Sequence, residues 1–352
     1  MKLWFLAAAF AASSGTAAPV VDALDRPAIA VRRPEAAVLS GAAMAGTRIV
    51  AVGERGIVTY SDDAAATWAQ AASPVSVTLT AVRFADSRRG YAIGHGGVVL
   101  ATRDAGASWQ RVLDGRQVAA IAVKAAEASG DEARMREAQR LVADGADKPL
   151  LDLLVLDSQR VIIVGAYGLA LETEDGGQSW QPWMNRLDNP KGLHLYAIRS
   201  QGDTMLIAGE QGLALLSGDG GRSFRRLPLP YGGSFFTAEL SGPNEILLSG
   251  LRGNVWQTTD GGASWRQLSV PVAASITASA RTGDGRVLLA SQAGLVLTAG
   301  QAAALPLSRK PLPPLNGLLP LGDRALLALS VQGAITVSVQ GATARRNAEV
   351  QP

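Results

Sequence analysis

The chain has no cysteine in its 352 residues. That excludes disulfides, thiol nucleophiles and thiolate metal centres, and is compatible with an oxidising compartment. Only two histidines are present, His95 and His194, too few for a histidine-rich metal site, so no metal or other cofactor is expected. Aromatic residues make up only 5% of the chain, and lysine supplies just five of the 33 basic residues. The basic residues are scattered and the formal net charge is +3, which argues against the basic stripe of a nucleic-acid partner. The preference for arginine has two readings: planar, bidentate recognition of a partner, or the coding bias of a GC-rich genome. Long apolar runs are missing as well. Leu3 to Ala12 is apolar but too short to span a bilayer comfortably. It follows Met1-Lys2 and precedes small residues as far as Ala18. It therefore reads as a signal peptide over about residues 1–18, leaving 19–352 as one exported, periplasmic domain.

What the chain has instead is a repeat. The pattern Ser/Thr-x-Asp-x-Gly-x-Ser/Thr-Trp occurs five times, at 61–68 (SDDAAATW), 102–109 (TRDAGASW), 173–180 (TEDGGQSW), 217–224 (SGDGGRSF) and 258–265 (TTDGGASW). Its aspartates are Asp63, Asp104, Asp175, Asp219 and Asp260; its closing aromatics are Trp68, Trp109, Trp180, Phe224 and Trp265. The aspartates fall 41, 71, 44 and 41 residues apart, and a unit of about 40 residues with short strands matches one four-stranded propeller blade. A second landmark, Gly/Ser-x-x-Gly, precedes each box and continues after the boxes stop: GERG, GHGG, GAYG, GEQG, GLRG, SQAG and SVQG, the last ending at Gly333. Seven landmarks predict an all-β, seven-bladed propeller. The seventh unit ends one strand early, and an open strand edge is a liability. Residues 27–33 (PAIAVRR) are therefore expected to complete the last blade and close the ring.

The box itself has a structural chemistry. An aspartate in a turn accepts hydrogen bonds from backbone N–H groups that the turn leaves unpaired, and Ser/Thr hydroxyls add local bonds. Glycine there permits positive φ, and the tryptophan packs on the blade. A single carboxylate per site is a poor cage for calcium.

Strand parity puts the boxes on one face of the ring, and the Gly/Ser-x-x-Gly turns with the inter-blade connections on the other. The 71-residue interval holds an insertion over about 116–148, between blades 2 and 3 and on the second face. Its composition predicts a helical hairpin, with Ser129-Gly130 ending the first helix and Asp131 capping the second. Met135, Ala138, Leu141 and Val142 form an apolar stripe, available either to pack on the blades or to meet a partner. Other loops of this face supply Arg186, Lys191, His194, Tyr231, Phe235 and Phe236, and the tip turns supply Arg55 and Arg252. Aromatic and arginine residues on loops of a rigid scaffold are the makings of a binding patch. With Met135 and Leu141 they form the candidate partner-binding face.

The phrase VRFADSRRGYAIGHGGVVLATRDAGASWQRV (82–112) resembles the photosystem II assembly and stability factor family, exported seven-bladed propellers built from Asp-box, or bacterial neuraminidase, repeats. LVADGADKP (141–149), NPKGLHLYAIR (189–199), AGEQGLALLSGDGGRSF (208–224) and PYGGSFF (230–236) are similar to a proteobacterial branch of that family. Members of this branch carry the helical insertion and tend to be encoded beside resistance-nodulation-division-type exporters. The resemblance implies a non-catalytic assembly or stability factor, monomeric and without a small-molecule substrate, that binds an integral membrane protein complex or its assembly intermediate. The photosynthetic members use an arginine-rich face; here only Arg55 and Arg252 lie in comparable turns.

The alternative is a sialidase-like glycoside hydrolase, because Asp-boxes occur there too. That chemistry needs an arginine cluster, a Tyr nucleophile with a Glu partner, and an acid. Tyr60, Tyr91, Tyr167, Tyr196 and Tyr231 show no readable Glu partner, and the Arg-Ile-Pro opening of sialidases is absent.

Overall fold

The computed structural model describes residues 21–307 and 310–338. The segment expected to be a signal peptide, 1–18, and the chain beyond 338 lie outside the described residues. Within them are seven antiparallel sheets in chain order, at 39–71, 79–113, 150–182, 195–226, 235–268, 276–306 and 315–338. Six have four strands and the last has three. The first strand of each sheet packs against the first strand of the next, and that of the seventh against the first, so these strands line the axis of a ring.

The middle strands explain why blades form. Gly90–Gly94 (GYAIG) and Val161–Gly165 (VIIVG) are buried along their whole length. Stacked sheets cover both faces of such a strand, which therefore reads as a continuous apolar run. The cores lie between blades: Val50 and Val52 of blade 1 pack with Val82 and Leu100 of blade 2, and so on round the ring. All seven inner pairs carry a register shift at the same place, one step inside the inner strand, such as Leu79/Ala81 in blade 2. Opposite it lies the glycine that opens the tip turn. A Cβ on Gly94 would stand 2.3 Å from the Thr78 carbonyl oxygen, which is why this position is so often glycine.

The ring closes differently from the expectation. Residues 27–33 form no strand and do not join blade 7. They run beside the outer strand of blade 1, where Ala28 N–H donates to Ser73 O (3.1 Å) and Gln70 bonds both Val31 N–H (2.9 Å) and Ile29 O (3.0 Å). Blade 7 instead meets blade 1 through side chains: Leu39, Ile49 and Ala51 share a core with Leu327 and Leu329, and Trp68 of the first box packs on it. Asn316 adds a bond to Leu39 O (3.1 Å). A buried interface of this kind joins two blades without a shared strand, as it does at the six other junctions.

The insertion is a hairpin of α1 (Gly115–Ser129) and α2 (Glu132–Asp144). Asp114 caps α1 and forms a reciprocal pair with Gln117; Gly130, in the left-handed conformation, ends it. Asp131 caps α2 by accepting from Ala133 and Arg134. The helices meet through Ala122, Ala126 and Ala138, with Met135 and Leu141 packed alongside. Val118 and Leu141 anchor the pair on the core shared by blades 2 and 3. Val142, expected in the apolar stripe, is 56% exposed. An N-terminal arm fastens the hairpin from the side: Leu24 is buried in the core of blades 1 and 2, and Asp22 and Asp25 each pair with Arg116, at 3.0 and 2.9 Å.

Candidate functional site

The box face is closed on itself. In the third box Thr173 Oγ1 donates to Asp175 Oδ1 (2.8 Å) and accepts from Gly177 N–H (2.9 Å). Ser179 donates through its N–H to Oδ1 (2.8 Å) and through its hydroxyl to Oδ2 (2.6 Å). The same four bonds recur around Asp63, Asp104, Asp219 and Asp260. Hydrogen bonds to an ionised carboxylate favour the charged form. The Ser179 hydroxyl and N–H accordingly hold Asp175 down to about 2, and those of Thr67 hold Asp63 at about 2. With both oxygens of each aspartate engaged in its own turn, the boxes offer little to a cation. Among the described residues no group of three or more His, Cys, Asp or Glu is placed to hold a metal ion.

The boxes also act between blades. Trp109 packs on Val50 of blade 1, Trp180 on Tyr91 of blade 2, and Phe224 edge-on to Trp183 of blade 3 (5.3 Å). Arginines of one blade donate to box carbonyls of the next: Arg48 to Ala105 O, Arg160 to Gly220 O (3.2 Å) and Arg225 to Gly261 O (2.7 Å). Arg186 belongs with them. It pairs with Glu172 (3.3 Å) and reaches Gly221 O (3.5 Å), so its guanidinium turns away from the tip face and leaves the candidate patch. None of these arginines carries a motif of its own in the sequence.

The tip face is built otherwise. In five blades the third residue of the tip turn has positive φ: Arg55 (52°), Gly96 (69°), Tyr167 (58°), Gln211 (52°) and Arg252 (57°). An L-residue there costs about 1–2 kcal/mol, yet four of the five keep a side chain, and all four are exposed. Beside these tips lie the inter-blade connections. Tyr167 N–H donates to His194 Nδ1 (3.0 Å), and Tyr231 Oη donates to Leu251 O (3.2 Å).

A row of rings crosses this face from blade 3 to blade 5. Tyr167 meets His194 edge-on (4.8 Å), His194 meets Tyr196 (6.0 Å), and Tyr196 meets Phe236 (5.2 Å). Lys148 Nζ sits 4.5 Å over the Tyr167 ring. Tyr231 stacks on Trp256 (6.2 Å) near Arg252. Phe236 is half-buried in the row, whereas Phe235 is fully buried. Phe235 begins an inner strand and points into the core of blades 4 and 5, so it is a core residue. Met135 is half-buried within the hairpin. Lys191 is exposed at the rim of a cleft of about 320 Å³ between the hairpin and the blade 3–4 connection. Leu141 and Tyr167 line the same cleft. His194 is legible in its loop, whereas Tyr167, Tyr196 and Lys148 are absent from the sequence-derived patch; the tip-turn position of Tyr167 is the one signal available for them.

Tyr60 and Tyr91 are placed for packing. Arg48 lies 4.3 Å over Tyr60, and Tyr91 is 5% exposed. Burial, and next the charge of Glu210, push the Tyr196 phenol up, the reverse of what a nucleophilic phenolate needs.

Seven antiparallel sheets arranged in a ring, with Asp-box turns on one face, define a β-propeller of the Asp-box class. Residues 131–311, just over half of the chain, match the model of the family described as photosynthesis system II assembly factor YCF48, and the protein belongs to that family. Among solved structures it is similar to YCF48 from Cyanidioschyzon merolae, with 16% identity over 86% of this chain and 95% of that one, TM-score 0.62. The WD40 propeller domain of Doa1 aligns at 10% identity over 91% and 97%, TM-score 0.63. Both likenesses are of fold. A YCF48 structure with a bound D1 peptide aligns at 26% identity and TM-score 0.43, covering 51% of this chain; the chain spans 59% of that protein's length. Comparison with curated protein sequences finds no match.

Proposed function

We propose that the protein is a non-catalytic binding protein, exported to the periplasm, whose tip face holds an integral membrane protein or its assembly intermediate. Membership of a family of assembly factors supports a binding role. The observation that carries the choice of face is the exposure of Tyr167, 59%, in left-handed backbone at the end of a row of rings, while the repeat aspartates of the opposite face are spent within their own boxes. Exposed aromatics and cations on a rigid frame match the composition of protein interfaces. The helical insertion, shared with the branch encoded beside resistance-nodulation-division-type exporters, makes an exporter complex our choice of partner. The test is crosslinking in cells with a photoreactive residue at Tyr167 or, on the box face, at Arg103. A membrane-protein adduct is expected from position 167 and not from 103. Equal adducts from both positions, or soluble adducts only, overturn the reading.

A further inference from the structure

The cleft beside the hairpin has a chemistry of its own. Its floor is made by Ala122, Ala126 and Ala138 of the helices and by Leu169 of blade 3, all buried, with Met184 and Leu187 half-buried at one side. Small alanines leave the depression, and an unbranched methionine lets its wall adapt to different side chains. At about 320 Å³ it sits at the small end of ligand clefts, roughly 300–1,000 Å³, with room for a few side chains.

The rim decides what fits. Arg134, Arg140, Lys148 and Lys191 stand around it against Glu137 and Asp144. Two of the cations are neutralised locally: Lys148 by Asp144 (3.0 Å) and Asp147 (2.9 Å), and Arg134 by Asp131 (3.3 Å). Arg140 on the helix side and Lys191 on the blade side are exposed and have no ion pair among the described residues. Glu137 at the same rim is likewise exposed and has no ion pair among the described residues, so the rim as a whole is balanced. It is the placement of two unpaired cations on opposite sides of an apolar trough that suits a chain apolar at its centre and acidic at its flanks. Tyr167 at the rim offers a ring for the backbone or an apolar side chain.

We infer that this cleft is a recognition site for an extended peptide segment of a partner protein, with an apolar side chain on the alanine floor and carboxylates reaching Arg140 and Lys191. The inference rests on the tip face being the binding face, and names the segment it takes. Random hexapeptides displayed on phage, panned against the purified full-length protein, supply the probe. Asp or Glu flanking Leu, Met or Phe should be enriched, and the selected peptides should bind the double variant Arg140→Glu, Lys191→Glu at least tenfold more weakly. The conservative pair Arg140→Lys, Lys191→Arg should retain binding. Both residues are exposed, and an unchanged melting temperature shows that each variant is folded. No enrichment, enrichment of basic sequences, or binding unaffected by the charge reversal overturns the cleft as the site. If the Tyr167 crosslink still yields a membrane-protein adduct in that event, only the cleft assignment fails; if the adduct is missing too, the tip-face reading fails with it.

Discussion

The box face and the tip face come from the same repeat, yet they use their polar groups in opposite ways. On the box face each repeat aspartate is bonded to its own turn, and arginines such as Arg160 and Arg225 reach the box of the neighbouring blade. On the tip face Arg55, Gln211 and Arg252 stand exposed in backbone that favours glycine. A feature repeated five times is thus a fastening, and the positions where the repeat varies are the ones free to meet something else.

The comparison can be broken by experiment. The largest effect is expected from Trp180→Ala. Trp180 is 6% exposed in the core joining blades 2 and 3, and truncating such a residue costs about 3–5 kcal/mol. Urea denaturation measures it; a loss below about 1 kcal/mol would mean that box aromatics do not hold blades together. Next comes Leu24→Ala, at about 2–5 kcal/mol if the arm shares in the core. Hydrogen exchange should then quicken in α1, whose Arg116 the arm holds, more than in blade 7; faster exchange in blade 7 would restore a closing role for the arm. A gain of about 1 kcal/mol is expected from Ala65→Gly. Ala65 has φ of 72° where other boxes have glycine, and its replacement relieves strain; no gain in melting temperature would deny that the first box is strained.

Acid supplies the mildest test. Asp175 is held at about 2, below its ordinary 3.8, so the folded state binds its proton more weakly than the unfolded state does. Its contribution is complete above 3.8 and is lost as pH falls through about 2. Asp175→Asn should flatten the fall in melting temperature across that window while leaving Tyr167 crosslinking at neutral pH intact. An unchanged acid slope would show that the box carboxylate does not titrate with folding.

Much of this architecture was legible in the sequence, for a physical reason. Glycines at positive φ and bonded aspartates are local requirements, so the seven tip turns, the five boxes and the capped hairpin appear as patterns within a few residues of one another. Contacts across the ring leave no such trace. Residues 27–33 look like a strand, but blade 1 was available to them as well as blade 7, and hydrogen bonds to Gln70 and Ser73 decided it. Phe235 and Phe236 are adjacent and alternate in direction, so one is core and the other surface; the pair alone does not say which. Arg186 looks like any loop arginine until Glu172 and Gly221 are folded beside it.

The left-handed tips carry one more consequence. Because each tip is held by its own blade's glycines, its side chain can change without disturbing the frame, and glycine itself is the relaxed choice. Arg55, Tyr167, Gln211 and Arg252 therefore act as sockets on a wheel, each exchangeable alone. Such a ring can acquire a new partner by single substitutions at its rim, while everything that makes it a ring stays as it was.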